Sequence, residues 1–237
     1  MPVRPAVMSL SPAQSLPQQL GALQALMRAC RRCQEAGFPV QGPAVFAGSE
    51  RARVMVIGQA PAAADLRAGS VPWSGAAGGR LRSWLAQAGW TSAELEELFY
   101  FTALTRCYPG RQAGGHGDRP PSAQEIALCA PYLQQELDLI QPRIIILVGK
   151  LALTYFIGAG SLSDHVGKAY RAGEVPARPA FYRVPADAWL VPLPHPSGAS
   201  IWPNQPANRP KLEGAIAALR ALRASETWTA YVKGEKV

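Results

Sequence analysis

The run at residues 143–148, RIIILV, limits what this chain can fold into more than any other stretch. Successive side chains of a strand point to opposite sides, so its five consecutive apolar residues leave neither face polar. Such a strand needs cover on both faces, which globular proteins supply as helices on either side of a parallel sheet. Residues 54–57 (VMVI), closed by Gly58, have the same character. Residues 99–104 (FYFTAL), 181–184 and 189–193 read as three further strands.

The segments between them carry helical spacing. Residues 16–32 place Leu20, Leu23, Leu26 and Met27 on one face, and residues 80–88 do the same with Leu81, Trp84 and Leu85. The Ser122-Ala-Gln-Glu125 capping box opens a helix that runs to about residue 140, where Pro142 stops it. Residues 150–157 and 210–224 predict a short helix and a final amphipathic one with basic residues on its polar face. Alternating strands and helices predict an α/β fold, a three-layer α/β/α sandwich with a mostly parallel central sheet.

At 237 residues the chain is long enough to bury a full core. A flexible leader rich in Pro, Ser and Gln is expected at residues 1–15, then a single domain over residues 16–237. No apolar run is long enough to span a bilayer, and the opening MPVRPAVMSL is too short and too proline-broken for an export signal. The expectation is a soluble, cytoplasmic protein with no membrane partner. A net charge of +8 and a pI near 9.6 suit a polyanionic partner, and equally an ordinary basic, well-solvated surface.

Four cysteines stand out. A disulfide framework is not expected in a large intracellular chain. Cys30-x-x-Cys33 has metal-ligand spacing, and Cys107 and Cys129 complete a four-thiolate set. Four buried structural thiols are the plain alternative.

In open α/β sheets, ligands bind beyond the carboxyl ends of the strands. Gly58 ends its strand, Gln59-Ala60-Pro61 forms a tight turn, and a loop with Gly69, Pro72, Trp73, Gly75, Gly78 and Gly79 follows. This is the first place to look for a site. Its glycines lack the GxGxxG spacing, which sets a dinucleotide cofactor aside. His195 lies in a turn just past an apolar strand, where a functional histidine belongs, whereas His116 and His165 read as ordinary surface or core residues.

Taken in order, these segments resemble the uracil-DNA glycosylase superfamily, specifically the family-4 enzymes that carry an iron–sulfur cluster. The likeness runs from residue 30 to about residue 219. The family's Gly-Glu-Ala-Pro-Gly turn, later acidic residue and Pro-Phe-Val-Gly-x-Ala-Gly loop correspond to Gly58-Gln59-Ala60-Pro61-Ala62, Asp65 and Pro72-Trp73-Ser74-Gly75-Ala76-Ala77-Gly78. Its Thr-Asn-x-x-Lys-Cys-x-Pro segment resembles Thr102-Ala103-Leu104-Thr105-Arg106-Cys107-Tyr108-Pro109. Its cysteine-bearing helix matches Pro121, Ser122, Glu125, Cys129, Pro131, Tyr132 and Leu133, and its His-Pro-Ser loop is His195-Pro196-Ser197.

The resemblance implies a uracil-DNA-glycosylase-like fold and a monomeric repair enzyme that hydrolyses the N-glycosidic bond of uracil in single- or double-stranded DNA. The base would be flipped into a pocket, leaving an abasic site. It implies a four-iron, four-sulfur cluster on Cys30, Cys33, Cys107 and Cys129, with a structural zinc as the alternative. Gln59, Asp65 and His195 would be catalytic. Gly58, Ala60, Trp73, Ala103 and Ser197 would contact the substrate, with Trp73 stacking on the base. Ile201 and Trp202 are candidate wedges for the gap left by the flipped base, and Arg106, Arg111, Lys168, Arg209 and Lys211 candidate phosphate contacts. Two positions depart from the family: Gln59 replaces a Glu, and Ala103 replaces an Asn that contacts the uracil edge. An amide can orient water but cannot take its proton, and alanine offers neither donor nor acceptor. The alternative function is therefore a DNA-damage-binding relative with weakened or altered base specificity.

Overall fold

A computed structural model of the chain describes residues 14–114, 117–175, 182–198, 200–226 and 228–229. Residues 1–13 of the expected leader, His116, Phe181 and Ala199 of the candidate wedge loop lie outside the described residues.

Five strands form one sheet: β1 (Val54–Gly58), β2 (Phe99–Ala103), β3 (Ile144–Val148), β4 (Tyr170–Arg171) and β5 (Trp189–Leu193). Their spatial order is β2-β1-β3-β5-β4, and all neighbours run parallel except the β4–β5 pair. Every residue of β1, β2 and β3 is buried, as continuous apolar runs require.

The helices are α1 (Leu16–Ala29), α2 (Arg32–Glu35), α3 (Ala63–Arg67), α4 (Ala76–Gln87), α5 (Ser92–Glu97), α6 (Ala123–Ile140), α7 (Lys150–Phe156), α8 (Leu162–His165) and α9 (Arg209–Arg223). Alternation along each strand divides the apolar residues into two cores. Met55, Ile57, Ile145 and Leu147 pack with Leu23 of α1, Leu133 and Leu137 of α6 and Phe156 of α7. Val54, Val56, Ile144, Ile146 and Val148 pack with Leu81 and Leu85 of α4 and Ile216 and Leu219 of α9. The result is the expected three-layer sandwich.

Several local expectations are corrected. The helix expected over residues 16–32 stops at Ala29, because Cys30 turns extended (ψ 136°) before a new turn begins at Arg32. Residues 182–184 are not a strand: Tyr182 is buried with its ring stacked on Phe156 at 5.0 Å, and the free edge of β5 is taken by β4 instead. Residues 201–206 hold a 3-10 turn at Trp202–Asn204 and the start of a second at Pro206–Asn208. The capping box at Ser122 forms as expected, its Oγ accepting from the Glu125 amide at 3.2 Å. Among the described residues no helix is long and apolar enough to cross a membrane.

Ile145 and Ile146 are neighbours in sequence but belong to different cores. Ile145→Val and Ile146→Val should each cost about 0.5–1.5 kcal/mol. The double variant should lose the sum, because the two side chains share no apolar neighbours. Urea denaturation of the wild type and three variants checks this.

Candidate functional site

Parallel strands bring their carboxyl ends to one edge of the sheet. Gly58 stands beside Ala103 in the register, and Val148 beside Leu193. Above that edge lies a hollow of about 80 Å³. One water needs roughly 10–15 Å³ by such a measure, so the hollow has room for several waters or one small ring. Its walls are Gly58, Ala60, Pro61 and Ala62 from the turn after β1, and Asp65 from α3. Pro72, Trp73 and Gly75 come from the following loop, Ala77 and Gly78 from the first turn of α4, Thr102 and Ala103 from β2, and His195 from the turn after β5. Val45 closes the set from the segment before β1.

Asp65 holds the two main loops together. It is only 6% exposed. One carboxylate oxygen accepts from the Ala62 amide and the other from the Ser74 amide, each at 2.9 Å. Trp73 sits just before that second anchor with φ at +58°, a left-handed conformation that costs a non-glycine residue about 1–3 kcal/mol and persists where surroundings enforce it. Its carbonyl accepts from Arg82 Nη1 at 2.8 Å. The indole lies close over Gly58, where an added Cβ would meet its Cζ2 at 3.1 Å. At Gly78 an added Cβ would fall 1.6 Å from the Trp73 carbonyl oxygen. These two glycines let the loop and its tryptophan settle onto the strand end.

Across the hollow, His195 and Trp73 have ring centroids 6.0 Å apart. The Ser197 amide donates to His195 Nδ1 at 3.3 Å, and Ser197 Oγ lies 3.0 Å from the same nitrogen. A backbone amide can only donate, so Nδ1 is the acceptor and the neutral ring carries its proton on Nε2. Burial lowers the pKa of His195 below its usual 6.5. The side chain is therefore a neutral imidazole at neutral pH, with Nε2–H as a donor.

The four cysteines converge on a second, larger cavity of about 220 Å³. Cys30 comes from the break after α1, Cys33 from α2, Cys107 from the segment after β2 and Cys129 from α6. Burial, then repulsion from the other thiols, pushes Cys33 up to about 12; burial, then Cys129 and Cys30, takes Cys107 to about 11. The thiolate set thus requires positive charge among its members. Arg32 Nη1, Thr105 Oγ1 and Arg106 Nε are buried on residues lining this cavity and have no hydrogen-bond partner. Donors left over in this way fit a group rich in sulfur acceptors. Among the described residues, no set of three or more His, Cys, Asp or Glu side chains stands so as to hold a metal ion.

Of the residues singled out in sequence, the structure brings Gly58, Ala60, Asp65, Trp73, Ala103 and His195 to one hollow. Gln59 and Ser197 are half-buried beside it and do not line it; Ser197 acts on it only through His195. Arg106 is not a phosphate contact: it is 2% exposed and paired with Glu136. Lys211 Nζ is engaged with the Ser163 carbonyl, while Arg111, Lys168 and Arg209 are exposed. Trp202 is half-buried and donates from Nε1 to Ser163 Oγ at 2.8 Å, so it anchors its loop. Ile201, beside it, is 73% exposed. Val45 and Thr102 were not foreseen as site residues. Nothing in the local pattern at Val45 signals a site, and Thr102 opens the segment that resembles the family's Thr-Asn-x-x-Lys-Cys-x-Pro without being assigned a role there.

Gly78 and Gly79 look alike in sequence but not in space, since nothing lies within 4 Å of a Cβ added at Gly79. Gly78→Ala should cost about 1–3 kcal/mol by forcing the loop backbone to shift. Gly79→Ala, on an exposed position of α4, should stabilise by up to about 1 kcal/mol. Paired denaturation curves test the contrast.

The profile of the uracil DNA glycosylase superfamily matches residues 45–220. A Type-4 uracil-DNA glycosylase of Pyrobaculum aerophilum is 33% identical over 129 residues, covering 52% of this chain and 60% of that protein. The Type-4 uracil-DNA glycosylase of Sulfurisphaera tokodaii is 29% identical over 128 residues, 52% of this chain and 54% of its own length. That of Archaeoglobus fulgidus is 30% identical over 108 residues, 46% and 49% respectively. The chain thus spans about half to three-fifths of the length of these relatives.

Proposed function

The chain belongs to the uracil DNA glycosylase superfamily, and from that premise we propose that it hydrolyses the N-glycosidic bond of uracil in DNA. The observation that carries the proposal is the hollow at the strand ends, with Trp73 and His195 facing each other 6.0 Å apart. A base inside a duplex cannot reach such a site, so the nucleotide is flipped into it. Trp73 stacks on the ring. As the bond to the sugar breaks, its electron pair leaves with the base, and negative charge gathers on a base oxygen. The neutral His195 donates Nε2–H to that oxygen without itself needing to be charged. A water then adds to the sugar cation and releases its proton. The exposed Ile201, on a loop anchored by Trp202, would fill the gap in the DNA stack.

Cys30, Cys33, Cys107 and Cys129 would hold a four-iron, four-sulfur cluster. The cavity that all four cysteines line, and the buried unpaired donors of Arg32, Thr105 and Arg106 around it, support this reading. When bound, that group would supply a structural tie joining the ends of α1 and α2 to the segment after β2 and to α6.

A second reading is favoured by what the hollow lacks. Gln59 does not line it, Ala103 offers no polar atom, and both oxygens of Asp65 already accept backbone amides. Among the described residues that line the hollow, Asp65 is the one carboxylate, and each of its oxygens already holds a backbone amide. On this reading the protein binds uracil-containing or damaged DNA and cuts slowly or with relaxed base choice.

Abasic-site formation on oligonucleotides holding U·G, U·A and single-stranded U tests the two readings. Uracil release that falls roughly 10²–10³-fold in His195→Ala supports the glycosylase and its donor. Tight, salt-sensitive binding with no base release supports the second reading, in which Gln59→Glu with Ala103→Asn should raise activity.

Because burial lowers the His195 pKa, the working neutral form prevails at and above pH 6.5. Release should be level from there to pH 8 and fall only as pH drops into the lowered range. The unfolded chain binds that proton more readily, so stability also declines as pH falls below 6.5. An acid limb centred above 6.5 would contradict the assignment.

A further inference from the structure

Between the hollow and the thiol cavity lies a buried charged network. Arg106 Nη2 pairs with Glu136 Oε2, and both side chains are almost wholly shielded from water. Glu136 also accepts from Tyr100 Oη at 2.9 Å and from Thr102 Oγ1 at 3.1 Å. Thr102 belongs to the wall of the hollow and Arg106 to the wall of the thiol cavity.

Stability alone does not explain this arrangement. Taking two ions out of water costs several kcal/mol each, and well-packed apolar replacements are often neutral or better. The network is also unevenly satisfied. Glu136 has a donor on each oxygen, whereas Arg106 has donors to spare. Its Nη1 lies 3.6 Å from Cys129 Sγ, and its Nε is buried with no partner. The guanidinium is therefore fixed by Glu136 through Nη2 while its Nη1 reaches toward Cys129.

We infer that Arg106 is a positioning residue that sets the charge and hydrogen bonding of the group held by the four cysteines, with Glu136 as its counter-ion. The inference rests on the cluster reading above. Donors to cluster sulfurs and nearby positive charge favour the reduced, more negative form and raise its reduction potential; a nearby carboxylate lowers it. Neutralising Glu136 should therefore move the potential up. Removing the charge of Arg106 should move it down. Taking the Tyr100 hydroxyl away from Glu136 should unmask more of the carboxylate and also move it down.

The experiment uses the full chain, purified without oxygen, with iron and acid-labile sulfide measured first. A wild type lacking both overturns the cluster reading. Given a loaded wild type, the potential of the one-electron couple is titrated against dithionite in Glu136→Gln, Arg106→Gln and Tyr100→Phe. The expected result is a rise for Glu136→Gln and a fall for the other two. If Arg106→Gln does not retain iron, the opposite signs of Glu136→Gln and Tyr100→Phe carry the test, since neither residue lines the thiol cavity. Unmoved potentials, or shifts of the same sign, would show that the pair only supports the fold, and would leave the cluster reading intact.

Discussion

The coincidence of strand ends governs this structure. Four parallel strands share one register, so Gly58, Ala103, Val148 and Leu193 finish at one edge. Every loop that leaves that edge begins within reach of the others. The turn after β1, the end of β2 and the turn carrying His195 meet there without a long excursion by any of them. A parallel sheet of buried runs is demanded by the apolar character of β1 and β3, so the place of the site follows from the same residues that form the core.

What occupies that edge depends on close approach of backbone. Asp65 ties two loops through backbone amides, and Gly58 and Gly78 let Trp73 and its carbonyl come down onto the strand end. The site is thus shaped by small residues and backbone donors, with Trp73 and His195 as its main large side chains. This suits recognition of a flat ring by stacking and a few hydrogen bonds. It also makes the site economical in charge, since burial keeps His195 neutral while its Nδ1 is occupied by Ser197.

Much of this was legible in the chain itself. The apolar runs at residues 54–57 and 143–148 give the parallel sheet, and Cys30-x-x-Cys33 with two later cysteines gives the thiol cavity. Trp73 was visible from its Pro72–Gly75 context, and His195 because it lies in a turn just past an apolar strand. The less legible parts have physical reasons. Helices of four to six residues, such as α2, α3 and α8, are too short to show a period, and β4 is a two-residue edge. The Thr91–Glu94 capping box of α5 is a local signal for that short helix. Arg106 looks like one more surface cation, because its partner Glu136 is thirty residues away on α6. Val45 reaches the hollow through tertiary contact alone.

Base recognition turns on a flat ring entering the hollow beside a neutral His195 whose proton is on Nε2. Nitrogen-15 NMR of the His195 ring at neutral pH, before and after addition of uracil, tests this most directly. The expected result is a neutral ring protonated at Nε2 whose signals shift when uracil is added. A protonated imidazolium, a proton on Nδ1, or a ring indifferent to saturating uracil would contradict it.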